Sequence, residues 1–412
     1  MNERNKENFM NTRQEDMDKE VQAAMQKRKE REVDQDRIRG SLIGGAVGDA
    51  LGYAVEFDKE ARIFGKFGPD GITSYELFEG KAIISDDTQM TLFTANGLLF
   101  GDTESALHGM QGYPRSYVAK AYDDWYLTQT RSYKEGERQK QIAGGSISWL
   151  LDVPELYKRR APGITCMNAL DSKKQKATDF VKEPVNNSKG CGGIMRVAPV
   201  ALMYRPGRTY NGTLERLDME AAQIAAITHG HSLGYMPAAV FSHVISRILM
   251  DGTGVSLKEI VLDARDTAAA VFAGDPHLQT LIRIIDLAVE LAENDADDLD
   301  NIHRLGEGWV AEEALGIALY CALKYSTDFS AAMIASVNHK GDSDSTGAIT
   351  GNIVGAIVGY DAIEEKWKKD LELHDVILEM ADDLCHGCVM SESGHYPDSA
   401  WISKYVESHR IR

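Results

Sequence analysis

The chain has 412 residues, with 45 Lys and Arg against 63 Asp and Glu, which gives a formal net charge of −18. This length allows one large domain or two to three smaller ones, and the negative charge argues against nucleic acid as a general partner. Five cysteines are an odd and sparse set that favours a reducing compartment over a disulfide framework.

Residues 1–39 differ from the rest of the chain, with ten basic residues, ten acidic residues and few large apolar side chains. The apolar spacing predicts a helix over about residues 14–36, which is either a solvated tail or an arm that becomes ordered on a partner. The first thirty residues contain no apolar signal segment, and no apolar run is long enough to span a bilayer. We therefore expect a cytoplasmic protein with a charged arm (1–39) and one domain (40–412).

From Gly40 onward, apolar residues recur at the helical spacing of three and four, as in Ala314, Ala318 and Cys321. Runs of alternating β-branched residues, which are typical of strands, are nearly absent. The pattern predicts an all-α domain.

Two of the predicted helical stretches carry glycine at every fourth position, so that each set lies on one helix face. The sets are Gly44, Gly48 and Gly52, and Gly351, Gly355 and Gly359. If these faces pack together, the two ends of the domain become neighbours.

An acidic motif lies close to each glycine-rich stretch, at residues 85–88 and 341–347. The two motifs offer only oxygen donors, which are the ligands that Mg²⁺, Mn²⁺ and Ca²⁺ prefer. Because two carboxylates about 4 Å apart repel by roughly 4 kcal/mol at an effective dielectric of 20, a cluster of them requires cations or protons.

Each motif also has a simpler interpretation. Ser85 or Asp86 suits the N-cap of a helix. The later motif matches positions 1, 3, 5 and 6 of a calcium-binding EF-hand loop, but Ile353 stands at position 12, where a bidentate Glu is required. The missing ligand argues against the EF-hand.

A glycine-rich loop at 186–196 runs into an apolar, helix-like segment. The backbone amides of such a loop can bind phosphate oxygens, although a simple turn has the same composition. The loop is not a dinucleotide-binding fingerprint, because Met195 occupies the third glycine position and no strand precedes it.

Two further groups of potential metal ligands are unsuited to zinc. His229 and His231 are two positions apart and do not share a helix face. Cys385 and Cys388 form a single pair, whereas a zinc site needs four ligands. We interpret both cysteines as structural or incidental.

Taken in order, five motifs resemble the ADP-ribosylglycohydrolase family, which includes dinitrogenase reductase-activating glycohydrolase and the ADP-ribosylarginine hydrolases. The resemblance covers about residues 38–365 and implies a compact orthogonal bundle of helices. The motifs are Gly44–Gly52 with Glu56, Ser85–Thr88, Gly190–Arg196, Thr228–His229 and Gly341–Gly347.

The resemblance also implies a site with two Mg²⁺ or Mn²⁺ ions. The implied metal ligands are Ser85, Asp86, Asp87, Asp342, Asp344 and Ser345. The implied catalytic residues are Glu56, Asp87 and Asp344, and the implied ADP-ribose contacts are Ser188, Gly190, Gly192, Gly193 and His229. Cys191 departs from the polar residue often found at its position, so a side-chain contact there does not carry over.

The resemblance implies hydrolytic removal of ADP-ribose from a modified protein side chain, with arginine chosen by analogy. Some similar bacterial proteins carry an N-terminal extension and give immunity to ADP-ribosylating toxins, so residues 1–39 are expected to block such a toxin. Three alternatives stay open: a binding protein that sequesters a toxin or ADP-ribose without turnover, a hydrolase of another ADP-ribose conjugate, and a dimetal phosphohydrolase.

Overall fold

The computed structural model describes residues 30–109, 112–136, 145–172, 178–205, 212–252, 254–388 and 399–407. Within these ranges the protein is helical, and the only β-type pairings are isolated bridges such as that of Ala82 with Leu371. The predicted all-α class is confirmed. Most of the helix predicted over residues 14–36, and most of the proposed toxin-blocking arm, lie outside the described residues.

The helices are numbered here in chain order. Those of the first half are α1 (30–53), α2 (Glu60–Phe67), α3 (Asp86–His108), α4 (Pro114–Thr130), α5 (Ile164–Asp171), α6 (Ala198–Met203) and α7 (Leu214–Ala226). Those of the second half are α8 (Ser232–Asp251), α9 (Leu257–Val271), α10 (Leu278–Leu291), α11 (Asp298–Leu305), α12 (Ala311–Lys324), α13 (Phe329–Val337), α14 (Ser343–Val358), α15 (Glu365–Lys368), α16 (His374–His386) and α17 (Ser399–Tyr405).

Helix α8 lies at the centre of the bundle, where it packs against α6, α7, α9, α12 and α14. Of the described helices, it alone is long and apolar enough, by length and composition, to cross a membrane, but 89% of its most apolar window is buried within the protein. Burial of this kind is what the core helix of a globular bundle shows.

Helices α1 and α14 pack antiparallel through their glycine faces, as the spacing predicts. A Cβ atom built on Gly48 would lie 2.0 Å from the carbonyl oxygen of Gly347, and one built on Gly44 would lie 2.2 Å from that of Gly351. At these positions any side chain would displace the opposing backbone. The two ends of the domain are therefore in direct contact.

Helix α1 runs without a break across the expected boundary between residues 39 and 40. Ile38 is fully buried, and the guanidinium of Arg39 donates to both carboxylate oxygens of Asp382 at 2.6 and 2.7 Å. The described end of the charged segment thus packs on the domain.

The close contact of α1 with α14 predicts an unequal response to two Gly→Ala substitutions. Gly48→Ala should lower the free energy of unfolding by about 3 kcal/mol or more, because the added methyl group overlaps a backbone carbonyl. Gly65→Ala is the matched control, since no atom lies within 4 Å of the added group on α2, and it should be neutral or stabilising by about 0.5–1 kcal/mol. Chemical denaturation measures both. Equal effects of the two substitutions would contradict the packing.

Candidate active site

The first acidic motif lies at the start of α3. Ser85 is the N-cap residue, and its hydroxyl accepts a hydrogen bond from the amide of Asp87 at 3.2 Å. The capping interpretation is therefore correct, and it does not compete with the site: Asp86 and Asp87 occupy the first turn, where the helix dipole favours negative charge, and both line a cavity.

The side chain of Asp49 in α1 holds the first turn of α3 in place through hydrogen bonds. The sequence did not suggest this role. The Asp49 carboxylate is fully buried and accepts hydrogen bonds from the Ser85 amide at 2.9 Å, the Thr88 amide at 3.1 Å and the Thr88 hydroxyl. Burial and the nearby Asp344 carboxylate raise the pKa of Asp49 to about 7. The one feature of the sequence that could have pointed to this role is the position of Asp49 within the glycine-rich motif at residues 44–52.

The second acidic motif forms the start of α14. Asp342 is the N-cap residue and accepts from the amide of Ser345 at 3.3 Å, while Asp344 and Ser345 lie in the first turn. Because residues 343–358 are helical, this segment does not form an EF-hand loop.

The two motifs meet across the cavity. The Ser345 hydroxyl donates to Asp87 at 2.9 Å, and a side-chain oxygen of each of Glu56, Asp342 and Asp344 lies within 4.8 Å of the others. Glu56 is 8% exposed, and its Oε2 atom is buried with no hydrogen-bond partner among the described residues. The cavity has a volume of about 270 Å³.

Burial and mutual repulsion raise the pKa values of the clustered carboxyl groups. Burial raises the pKa of Glu56 to about 10, with further contributions from Asp344 and Asp342. The pKa values of Asp86 and Asp87 are likewise raised, chiefly by burial. Buried carboxylates in such numbers need protons or cations. An all-oxygen donor set with an unpartnered Glu56 oxygen fits a hard divalent cation.

The predicted phosphate-binding loop forms one wall of the same cavity. Gly190 and Gly192 line the cavity and lie against the His229 ring: a Cβ atom on Gly192 would lie 2.9 Å from His229 Cε1. Ser188 and Gly193 do not line it. The Ser188 hydroxyl accepts from the Gly190 amide at 3.3 Å, and Gly193 is buried against Ala225 and the Gly234 carbonyl.

Cys191 also lines the cavity, and its Sγ atom lies 2.6 Å from Oδ2 of Asp342. Burial and the Asp342 carboxylate raise the pKa of this thiol well above its usual range. The thiol therefore acts as a hydrogen-bond donor to the acidic cluster.

His229 is buried and neutral. Burial, together with the positive charge of Arg196, lowers the pKa of its imidazole to about 3. The neighbouring His231 performs a different task, since its Nδ1 atom accepts from the Leu233 amide and caps α8.

Several lining residues carried no signal in the sequence, among them Cys166 and Trp309. Trp309 is 42% exposed and also lines a second cavity of about 590 Å³, which includes Lys189 and Glu307. Trp309 is therefore common to the lining of both cavities.

The ADP-ribosylglycohydrolase family model matches residues 30–394. The chain belongs to the ADP-ribosylglycohydrolase family. The resemblance inferred from the five motifs is thus confirmed.

Three relatives of this ADP-ribosylglycohydrolase family member are each about a quarter identical to it. The uncharacterized protein YegU of Escherichia coli is 24% identical over 82% of this chain and 92% of its own. ADP-ribosylarginine hydrolase Tri1 of Serratia proteamaculans is 24% identical over 85% of this chain and 79% of its own. The human ADP-ribosylhydrolase ARH3 is 26% identical, but over only 45% of this chain and 54% of its own.

Solved structures agree with the family fold. One titled "ADP-ribosylglycohydrolase-related protein complex" covers 87% of this chain and all of its own, with a TM-score of 0.56 and 23% identity. At this identity the likeness shows the fold alone.

The carboxyl cluster predicts a pH-dependent effect of Asp344→Asn on stability in the presence of EDTA. The pKa of Asp49 is raised from 3.8 to about 7, so the folded state binds more protons than the unfolded state and loses stability as the pH rises through this window. Removing the Asp344 charge relieves the repulsion. We therefore expect Asp344→Asn to have a higher free energy of unfolding than the wild type, and we expect this difference to be larger at about pH 8 than at about pH 5.

Chemical denaturation at the two pH values measures this difference. Asp70→Asn is the matched control, because Asp70 is exposed and its side chain forms no ion pair or hydrogen bond with the residues that the structure describes. An Asp344→Asn effect that is the same at both pH values would contradict the electrostatic account.

Proposed function

We propose that this protein hydrolyses the bond between ADP-ribose and a modified protein side chain, with divalent cations bound at the acidic cluster. The observation that carries the proposal is the meeting of Asp86, Asp87, Asp342, Asp344 and Glu56 in one cavity that residues 190–192 of the glycine-rich loop also line. Carboxylates suit cations and the ribose, whereas loop amides suit a diphosphate.

The cation ligands in this proposal are drawn from two helix N-termini. They are Ser85, Asp86, Asp87, Asp342, Asp344 and Ser345. When bound, two Mg²⁺ or Mn²⁺ ions would neutralise the cluster and supply Lewis acidity toward hydroxyl oxygens.

In this proposal, side chains of the cavity handle the proton of the attacking water and the charge that develops on the ribose. With cations bound, their positive charge would favour the ionised form of Glu56, whose Oε2 atom would then accept a proton from the attacking water and pass it to the departing side chain. Asp87 and Asp344 would stabilise the positive charge that develops on the ribose as its bond to that side chain breaks. Gly190, Gly192 and His229 would hold the diphosphate, with Ser188 and Gly193 supporting the loop from behind.

An arginine linkage is the finer part of the proposal. Its support is the similarity to ADP-ribosylarginine hydrolase Tri1 over 85% of this chain, against 45% for human ARH3. The substrate partner would then be a protein that is ADP-ribosylated on arginine.

The proposal predicts cation-dependent release of ADP-ribose from an arginine-modified protein. Wild-type protein with Mg²⁺ should release it, EDTA should abolish release, and Asp344→Asn should reduce the rate by at least about a hundredfold, because it removes one charge that acts in the transition state. Asp70→Asn should leave the rate unchanged.

Chromatographic assay of free ADP-ribose measures these rates. Cleavage of a serine-linked conjugate alone would overturn the arginine assignment but keep the hydrolase. Release of inorganic phosphate in place of ADP-ribose would favour a phosphohydrolase, and binding without release would favour a sequestering protein.

The two cavities predict a role for Trp309 in substrate affinity. A volume of about 270 Å³ is below the usual range of roughly 300–1,000 Å³ for ligand sites, so we infer that one end of ADP-ribose extends past Trp309 into the larger cavity. Trp309→Ala should raise KM about tenfold, because the stacking of a base on an aromatic ring is worth about 1–3 kcal/mol, and should leave kcat within about twofold.

Steady-state kinetics measure KM and kcat separately and so test this prediction. Tyr113→Ala is the control, since Tyr113 is an exposed aromatic residue that lines neither cavity. An unchanged KM in Trp309→Ala would contradict the role.

A further inference from the structure

A guanidinium group without an acidic partner is buried behind the ligand cavity. Arg196 is fully buried, and its hydrogen-bond partners in the described structure are Met90, Cys166 and Thr228, none of them a carboxylate. Its Nη1 atom lies 3.2 Å from Met90 Sδ and 3.4 Å from Cys166 Sγ, and its Nε atom has no partner in the described structure. The Tyr122 ring packs against its face at 4.4 Å. Burying a cation with such weak partners costs folding free energy, because the hydration lost by the charge is not replaced by an ion pair. A role in function would explain why the chain retains it.

The one strong hydrogen bond of Arg196 leads toward the cavity. Its Nη2 atom donates to the Thr228 hydroxyl at 2.6 Å, and that hydroxyl lies 2.8 Å from Nδ1 of His229. A guanidinium only donates, so the Thr228 oxygen acts as the acceptor toward Arg196 and has its own proton left to give. Donation of that proton to Nδ1 of His229 would make Nδ1 an acceptor.

The opposite ring nitrogen of His229 faces the cavity wall. Its Nε2 atom would lie 3.2 Å from a Cβ atom on Gly190 and 3.3 Å from one on Gly192, and it forms no hydrogen bond with the residues that the structure describes. Both glycines line the cavity, as does His229 itself. A neutral imidazole that accepts at Nδ1 carries its proton at Nε2.

We propose that Arg196 and Thr228 are positioning residues that hold His229 as a neutral Nε2–H donor toward an anionic diphosphate oxygen of ADP-ribose. The inference rests on the proposed function for the identity of the ligand. The buried charge of Arg196 contributes twice: it opposes protonation of the His229 ring, and it places positive potential behind the loop where the anion would bind.

Nitrogen-15 NMR of the histidine rings tests the tautomer in the free protein, with His229→Gln used to assign the signal. The wild type should show His229 protonated at Nε2 alone, with no change between about pH 5 and pH 8. Thr228→Val keeps the shape of the side chain but removes the donor to Nδ1, so this pattern should be lost. Thr228→Ser keeps the hydroxyl and should restore it. A wild-type ring protonated at Nδ1, or at both nitrogens near neutral pH, would overturn the proposal.

Calorimetric titration provides the second readout, with ADP-ribose and adenosine as the two probes. Thr228→Val should weaken ADP-ribose binding about tenfold, the loss expected for one hydrogen bond to a charged group, and should leave adenosine binding unchanged. Equal weakening of both probes would indicate a merely structural role and overturn the inference. Because neither readout requires turnover, failure of hydrolysis with both results intact would refute the proposed function alone.

Discussion

The close backbone contact between α1 and α14 is the constraint on which the site depends. The carbonyl oxygens of Ser343, Gly347 and Gly351 occupy the space that side chains would need at Gly52, Gly48 and Gly44. This contact sets the C-terminal end of α1 beside the N-terminal end of α14. Residues nearly 300 positions apart in the chain, Glu56 and Asp344 among them, thereby come within reach of one cation.

The electrostatics of the site work against the stability of the fold. Burial and mutual repulsion raise the pKa values of Asp87 and Asp344 well above the usual range. Two features offset part of this cost: the acids lie in the first turns of α3 and α14, where helix dipoles favour negative charge, and Ser85 lowers the pKa of Asp344 through a hydrogen bond. Bound cations would offset the rest of this electrostatic cost, so the folded protein would gain stability when it binds them.

The sequence predicted the all-α fold and the helix contact because both follow from local periodicity. Glycine at every fourth position marks a face that backbones can share, and the acidic motifs beside each face suggested a joint site. Spacing alone does not predict which side chains of a motif face the cavity, because that depends on burial. Ser188 and Gly193 support the loop without lining the cavity, although their place in the motif suggested direct contact.

Other residues were missed because their roles depend on neighbours that spacing does not reveal. Asp49 holds the first turn of α3, Arg196 is buried behind His229, and Trp309 lines two cavities. An isolated Asp, Arg or Trp in a sequence has many ordinary explanations. The boundary expected at residue 39 followed a change in composition, whereas α1 continues across it because Ile38 packs into the core.

The central claim is that the glycine contact assembles a cation site from the two ends of the domain. Crystals grown with Mn²⁺ and measured at its absorption edge test this most directly, because anomalous scattering locates the ion without reference to activity. The account predicts density at bonding distance from the carboxylates of Glu56, Asp342 or Asp344 and their neighbours Asp86 and Asp87. Saturating Mn²⁺ that leaves this cluster without an anomalous peak would contradict it.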